Sequence, residues 1–272
     1  MHFGETIRNG FTRGLLTRYA WRTVAKTRLI SPPKSLELGL VDRPHYAYGL
    51  VRAASQAKTL GFSEFTAIEF GVAGGNGLIT MEEYAQLVSQ EFGIKINIVG
   101  FDSGQGLPKP TDYRDLPYLW AEGDFVMDEA LLRARLHFAE LVLGDVKDTV
   151  SGWVNTRDAR SPIGFVSFDL DLWSSTVSAL NIFRGDPSLC LPRVWCYFDD
   201  VVGTIEDIGE LLAIREFNEE SDDRKLRKPY MLRANIPFQP TWADQMFQAH
   251  FFQHELYNEL ISHASDRELP LK

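Results

Sequence analysis

The stretch Thr66-Ala67-Ile68-Glu69-Phe70-Gly71-Val72-Ala73-Gly74-Gly75-Asn76-Gly77 decides how the rest of the chain is read. It predicts a short buried strand that ends in an acid, then a glycine turn and a helix from Leu78 to Glu91. Four glycines within seven residues let the backbone turn tightly and approach a ligand that any Cβ would block. Free N–H groups at the start of the helix favour an anionic or strongly polar ligand. The stretch therefore predicts a site for a nucleotide-type cofactor.

The composition narrows the class of protein. The chain has 272 residues, of which 44% are hydrophobic and 24% charged, which suits one α/β domain with a sizeable core. The formal net charge of -9 argues against nucleic acid as a partner, because phosphate binding needs a basic face. No apolar run reaches the roughly 18 residues of a membrane span, and the charged N-terminus does not resemble a secretory signal. We expect a cytoplasmic protein without stable membrane insertion.

Strand and helix patterns alternate after the glycine turn. Runs rich in β-branched and aromatic residues predict further strands at 95–102, 139–145, 163–171, 194–200, 230–236 and 248–252. Helical patterns lie at 45–60, 78–91, 127–138, 174–183 and 205–218. Ser174 or Ser175 is the expected N-cap of its helix, and 219–228 is expected to be a solvated turn. Short links between strand, helix and strand imply right-handed parallel crossovers and one alternating α/β domain.

Two segments outside this alternation leave alternatives open. Residues 1–30 interleave basic with apolar side chains, as in an amphipathic helix that packs on the domain or on a second subunit, or that covers a membrane surface or a site. Ser31-Pro32-Pro33 ends this helix, so residues 1–44 form a helical N-terminal extension and a candidate element of a homo-oligomer. Residues 103–123 predict a loop that is either a lid or an ordered surface loop. Cys190 and Cys196 lack metal or disulfide spacing and are expected to be buried thiols.

Each of the first five predicted strands ends in a carboxylate. These acids are Glu69, Asp102, Asp145, Asp169 with Asp171, and Asp199 with Asp200. Ligands of open parallel sheets bind at the carboxyl ends of strands, and the acid on the second strand is placed to hold a ribose diol; a single such acid is also a common turn former. If strands four and five are neighbours, their aspartates converge, and like charges at about 4 Å repel by roughly 4 kcal/mol. Protonation, an arginine or a hard cation such as Mg²⁺ or Ca²⁺ must then neutralise them.

These motifs, in this order, resemble class I S-adenosylmethionine-dependent methyltransferases, and more specifically the macrocin/mycinamicin-type (TylF-like) sugar O-methyltransferase family. Its patterns GFDxFEGLP, GxFxDTL, DxDxYxST and a late DD are similar to four stretches that follow the glycine turn. The stretches are Gly100–Pro108, Gly144–Thr149, Asp169–Thr176 and Phe198–Asp200. The helix 209–217 echoes a further motif, so the match covers about residues 66 to 217. Gln105 and Trp173 depart from the family's Glu and Tyr.

The resemblance implies a doubly wound, mostly parallel seven-stranded Rossmann-like sheet, with residues 45–272 as the methyltransferase domain. It implies two cofactors, S-adenosyl-L-methionine and Mg²⁺. The residues expected to bind the first are Glu69, Gly71, Val72, Ala73, Gly74, Gly75, Asp102, Ser103, Asp145 and Asp169. Mg²⁺ would be held by Asp169, Asp199 and Asp200. Asp171 would be the general base, although the roles of Asp169 and Asp171 are open to exchange.

The leading hypothesis is a Mg²⁺-dependent O-methyltransferase that acts on a hydroxyl of a small molecule, such as a sugar or a glycosylated natural product. One alternative is a NAD(P)-dependent oxidoreductase, against which the glycines of the turn do not fit GxGxxG spacing. Another is a methyltransferase-like module that binds a cofactor or a partner without turnover. The six histidines are expected to be structural.

Overall fold

A computed structural model describes residues 35–36, 39–236 and 239–261. The expected helix in residues 1–30 lies outside these residues. In the described part of the chain, seven strands form one sheet in the order β3-β2-β1-β4-β5-β7-β6. They are β1 Glu64–Phe70, β2 Lys95–Asp102, β3 Glu140–Leu143, β4 Ile163–Phe168, β5 Cys190–Phe198, β6 Arg224–Arg227 and β7 Met246–Phe251.

Helices cover both faces of the sheet. They are α1 Pro44–Thr59, α2 Asn76–Phe92, α3 Glu129–Arg135, α4 Val146–Val154, α5 Trp173–Ala179, α6 Gly209–Glu220 and α7 Leu232–Asn235. The apolar sides of α1 and α2 pack in one hydrophobic cluster, and those of α4, α5 and α6 pack in a second. None of the helices that the structure describes is long and apolar enough to cross a membrane.

The sheet is mixed. Strands β1 to β5 are parallel, as predicted, whereas β7 runs antiparallel to both β5 and β6. The strand β1 pairs with β2 on one side and with β4 on the other, so the order of the strands reverses there. Open α/β sheets bind ligands in the crevice at such a reversal, which here lies beyond the carboxyl ends of β1 and β4.

Three local predictions are wrong. Residues 230–236 hold the short helix α7 instead of a strand, and Tyr230 is 93% exposed. The strand β6 lies in the expected solvated turn, because Leu226 is buried there and both its backbone groups bond the amide of Asn218. Neither Ser174 nor Ser175 is an N-cap, since α5 begins one residue earlier, after Leu172.

Other elements differ in extent or were not anticipated. The helix α4 had no counterpart among the predictions; it begins after Asp145, whose side chain accepts the Lys147 N–H at 2.9 Å. The helix expected from 205 begins at Gly209. Cys190 and Cys196 are free and buried, as predicted.

Candidate functional site

The glycine turn fits tightly between β1 and β4. Gly71 has a φ of +82°, and a Cβ added there would collide with the main-chain oxygen of Asp169. Its N–H donates to the Phe101 carbonyl at 2.9 Å, while the Asp169 N–H donates to the Phe70 carbonyl at 3.0 Å. Gly75 has a φ of +78° and precedes α2, where a Cβ would collide with the side chain of Leu132. The turn therefore needs glycine at both positions.

Asp102 braces this turn from the end of β2. Its Oδ2 accepts the N–H groups of Val72 and Ala73, both at 2.8 Å, and its Oδ1 accepts the Gly104 N–H at 2.7 Å. These bonds hold Ala73 at its positive φ of 45°. A carboxylate offers about four acceptor positions, so one of them is left for a ligand hydroxyl.

Glu69 lies in the interior, under the first turn of α2. It is 2% exposed, its Oε1 accepts the hydroxyl of Tyr46, and that hydroxyl also accepts from Ser167 Oγ at 3.3 Å. Among the described residues its Oε2 has no hydrogen-bond partner. Burial raises the pKa of Glu69 to about 8. A Cβ at Gly77 would collide with Oε1, so this glycine makes room for the acid.

The aspartates after β4 and β5 converge as expected. Asp169, Asp171, Asp199 and Asp200 line one cavity of about 720 Å³, and the glycine turn lines it as well. The convergence follows from the pairing of β4 with β5, which places Phe168 beside Phe198 at the ends of the two strands. The glycine turn that is predicted to bind the cofactor and the aspartates that are predicted to act on the acceptor therefore line the same cavity.

Burial and mutual repulsion make Asp169, Asp171 and Asp200 hard to ionise. Burial, Asp199 and Asp200 together raise the pKa of Asp169 to about 7. Burial and Asp200 raise the pKa of Asp171, and burial and Asp199 raise that of Asp200. The guanidinium of Arg43 opposes the rise in the pKa of Asp169. A raised pKa, which favours protonation, and a nearby arginine thus correspond to two of the three means of neutralisation expected from the sequence.

A chain of hydrogen bonds fixes the Asp171 backbone. The Asp171 N–H donates to Asp200 Oδ2 at 3.0 Å, and the Asp200 N–H donates to Glu210 Oε2 at 3.0 Å. Asp171 has a φ of 61°, a left-handed conformation that few residues other than glycine adopt. Glu210 is completely buried, and among the described residues its Oε1 has no partner. Burial and Asp200 raise the pKa of Glu210 well above its usual range.

Asp199 is held from β5 and from the segment before β7. The Tyr197 hydroxyl donates to Asp199 Oδ1 at 2.6 Å, and Gln245 Nε2 donates to the Asp199 carbonyl at 2.9 Å. The ring of His45 stacks on Tyr197 with centroids 3.9 Å apart. Burial and Arg43 lower the pKa of His45 to about 3, so the imidazole is neutral.

The donor chemistry of the aspartates suits a hard cation. Carboxylate oxygens are the ligands that Mg²⁺ prefers, and Asp199 and Asp200 each have one oxygen outside the bonds given above. In their present arrangement, however, the described residues contain no group of three or more His, Cys, Asp or Glu placed to hold a metal ion. The residue types match the predicted magnesium site, whereas the geometry does not form it.

The predicted loop forms the other wall of the cavity. The residues of 103–125 that line it are Ser103, Gln105, Gly106, Leu107, Pro108, Trp120, Glu122, Gly123 and Phe125. Ser103 Oγ donates to the Gly106 carbonyl at 2.7 Å and shapes the start of the loop. Asp145 also lines the cavity. Val72, Gly74 and Gly75 do not line it, although they belong to the same turn.

A larger groove of about 1080 Å³ lies near the amino ends of β1 and β2, opposite to the ends that face the acidic cavity. Its charged groups pair with one another: Lys95 with Glu64 at 3.2 Å and Arg160 with Asp158 at 2.7 Å. Because parallel sheets bind ligands at the carboxyl ends of their strands, the smaller acidic cavity is the candidate site.

Sequence reasoning missed Tyr46, Arg43 and Glu210. Tyr46 meets Glu69 from 23 residues away, and no local pattern reveals such a contact. Glu210 did leave a signal. It precedes Ala213, Ile214 and Phe217 by three, four and seven residues, so it stands on the apolar face of α6.

No protein-family model and no curated protein matches this chain. Among solved structures, the O-methyltransferase NovP is 14% identical over 80% of this chain and 87% of its own, with a TM-score of 0.53. The calicheamicin methyltransferase CalS11 is 23% identical over 74% of this chain and 83% of its own, with a TM-score of 0.48. The likeness to NovP shows that the two chains share a fold.

Proposed function

We propose that this protein is an S-adenosylmethionine-dependent O-methyltransferase that acts on a hydroxyl of a small molecule. The charge of the cavity carries the proposal. Its described lining contains seven carboxylates and no lysine, arginine or histidine. Such a lining suits a sulfonium cation and repels the pyrophosphate of a dinucleotide, which favours this reaction over the NAD(P)-dependent alternative.

The glycine turn and the acids beside it would bind the cofactor. Of Glu69 and residues 71–75, Gly71 and Ala73 line the cavity and would contact the methionine part, while the others would shape the turn from behind it. Asp102 has one acceptor position free for a ribose hydroxyl. Ser103 would lie beside the ribose and Asp145 near the adenine. Asp169 would face the cofactor from the opposite side, because its backbone closes on Gly71.

S-adenosylmethionine would supply an activated methyl group, and the protein would orient the acceptor and take its proton. Asp171 is the proposed general base, since its raised pKa brings proton uptake closer to neutral pH. Its backbone N–H is held through Asp200 and Glu210, which fixes the point from which its side chain extends. Orientation of the two reactants would supply the remainder of the rate enhancement.

We further propose that Asp169, Asp199 and Asp200 hold Mg²⁺ during the reaction. A divalent cation would offset the repulsion that raises the pKa of Asp169. It would also lower the pKa of an acceptor hydroxyl. The three side chains would have to move to form this site. The acceptor would be a sugar or a glycosylated natural product, as the resemblance implies.

Methyl transfer from S-adenosylmethionine to a panel of 4-nitrophenyl glycosides, with Mg²⁺ or EDTA, tests the proposal. Asp171→Asn should lower kcat by roughly 100-fold or more, the usual effect of a lost general base, and leave binding of S-adenosylhomocysteine unchanged. Asp128→Asn, at the exposed cap of α3, is the control and should retain full activity. Wild-type turnover by the Asp171 variant would refute its role as base.

Calorimetric titration separates the alternatives. We expect heat of binding with S-adenosylhomocysteine and none with NADH. The reverse result would favour the oxidoreductase. Binding of S-adenosylhomocysteine without turnover of any acceptor would indicate a non-catalytic module.

A further inference from the structure

The loop between β2 and α3 consists of a closed base and a docked tip. At the base, the Leu107 N–H donates to the Asp124 carbonyl at 2.8 Å, and the Gly123 N–H donates to the Leu107 carbonyl at 2.9 Å. These bonds hold the start and the end of the loop together beside the glycine turn. The tip, residues 108–122, is therefore positioned by other contacts.

Asp115 makes the central contact of the tip. This carboxylate is completely buried. Its Oδ2 accepts the Thr111 N–H at 2.8 Å and the Thr111 hydroxyl at 2.6 Å. From α5 it accepts the Ser174 N–H at 2.8 Å and the Ser174 hydroxyl at 3.0 Å. Four hydrogen bonds compensate the burial of a carboxyl group that would otherwise be expensive, and two of them connect the tip to the helix that begins just after Asp171.

Two further contacts flank Asp115. The guanidinium of Arg114 lies over the ring of Trp173, 3.6 Å from its centroid. Leu116 is buried at a φ of 51°, and its side chain approaches Gly209 at the start of α6. The tip is thus fastened to the two helices that follow the aspartate pairs, α5 after Asp171 and α6 after Asp200.

We propose that Asp115 is a positioning residue that latches the loop tip and thereby sets the acceptor side of the cavity. Trp120 lies five residues after Asp115, lines the cavity and contacts Phe125 edge-to-face with centroids 5.9 Å apart. Loss of the hydrogen bonds of Asp115 releases Trp120 from the part of the cavity wall where the acceptor would bind. The base and the glycine turn keep their own hydrogen bonds, so the cofactor side stays intact. The acceptor part of this inference rests on the proposed function; the latch does not.

Asp115→Asn tests the latch, because an amide turns an NH₂ group toward donors that now bond a carboxylate. Asp112→Asn in the same turn is the matched control, since asparagine still caps the Arg114 N–H and the half-exposed ion pair that is lost lies outside the four hydrogen bonds of Asp115. The first readout is chymotrypsin cleavage after Tyr118, which is 70% exposed. We expect cleavage at least tenfold faster in Asp115→Asn and unchanged in Asp112→Asn. Equal cleavage of both variants and the wild type would overturn the latch.

The second readout separates positioning from mere stability. With the 4-nitrophenyl glycoside that the wild type methylates fastest, Asp115→Asn should raise the acceptor KM at least tenfold. The Kd of S-adenosylhomocysteine should stay within twofold. A parallel loss of affinity for both molecules would overturn the separation of base and tip. If Asp115→Asn does not fold, Ser174→Ala removes one of the four bonds and should give the same pattern with a smaller effect. If no glycoside is methylated, the proposed function fails while the cleavage experiment still decides the latch.

Discussion

Glu69→Gln should remove a pH-dependent loss of stability. Burial raises the pKa of Glu69 from 4.5 to about 8 in the folded protein. Between these values the unfolded chain releases the proton and the folded chain keeps it, so stability falls as the pH rises and the loss is complete above about pH 8. At about 1.4 kcal/mol for each pKa unit, the maximum loss is about 5 kcal/mol. Relaxation around the ionised carboxylate reduces it, and we expect a loss of at least about 1 kcal/mol.

Urea unfolding at pH 5 and pH 8.5 measures this effect. Glutamine cannot ionise and keeps an oxygen for the Tyr46 hydroxyl, so the free energy of unfolding of the variant relative to wild type should increase from pH 5 to pH 8.5. Glu64→Gln on the same strand is the control. The pKa of Glu64 is lowered, chiefly by its hydrogen bond from Asn97, so its stabilisation is lost as the pH falls and the variant gains nothing at pH 8.5. A constant difference between Glu69→Gln and wild type at both pH values would refute the reasoning.

Two further substitutions probe the turn and the buried acid of α6. Gly71→Ala should destabilise the fold by about 3 kcal/mol or more in thermal unfolding, because its Cβ would meet a backbone carbonyl at a position of positive φ. Gly74→Ala is the control and should change stability little, since the space around Gly74 is open. Equal effects of the two substitutions would contradict the close approach at Gly71. Glu210→Met should lower kcat at least tenfold, because the Asp200 N–H loses its acceptor. Asn218→Leu is the control, because it removes a buried polar side chain from the same helix but away from the site. It should lower the Tm and leave kcat unchanged.

The sequence predicts the first five strands and their acids well because the signals are local. A buried β-rich run that ends in an acid marks a strand and its carboxyl end, and short links force parallel crossovers. The sixth strand is misplaced for the same reason, whereas the strand expected at 248–252 is present as β7. The strand β6 reads Arg-Lys-Leu-Arg, and it forms because it pairs with β7 and because Asn218 of α6 bonds both backbone groups of Leu226. By contrast, residues 230–236 have a strand-like composition but leave Tyr230 in solvent.

The partners of each acid could not be predicted in the same way. Asp102 has the sequence position of a ribose ligand, yet three of its acceptor positions are occupied by backbone N–H groups of two loops. No local sequence pattern marks Asp115, because its proposed role depends on hydrogen bonds from Ser174, 59 residues away. A sequence shows where a carboxylate stands along a strand, but the bonds that occupy its oxygens come from elements folded against it.

The electrostatics of the site follow from this difference. Counted as formal charges, the four aspartates need protonation, an arginine or a cation to offset their repulsion, and burial and Arg43 contribute to the first two. Asp169 titrates near pH 7, and Arg43 partly compensates the remaining charge. Glu69 and Glu210 lie behind the cavity in surroundings that favour their neutral forms. Under the proposed function, a positively charged methyl donor would meet a cavity that is acidic in composition and in which burial raises the pKa of Asp169, Asp171 and Asp200. With its raised pKa, Asp171 would exchange protons in the pH range where a general base is useful. In the proposed reaction the acid-rich lining would then serve proton transfer as well as binding.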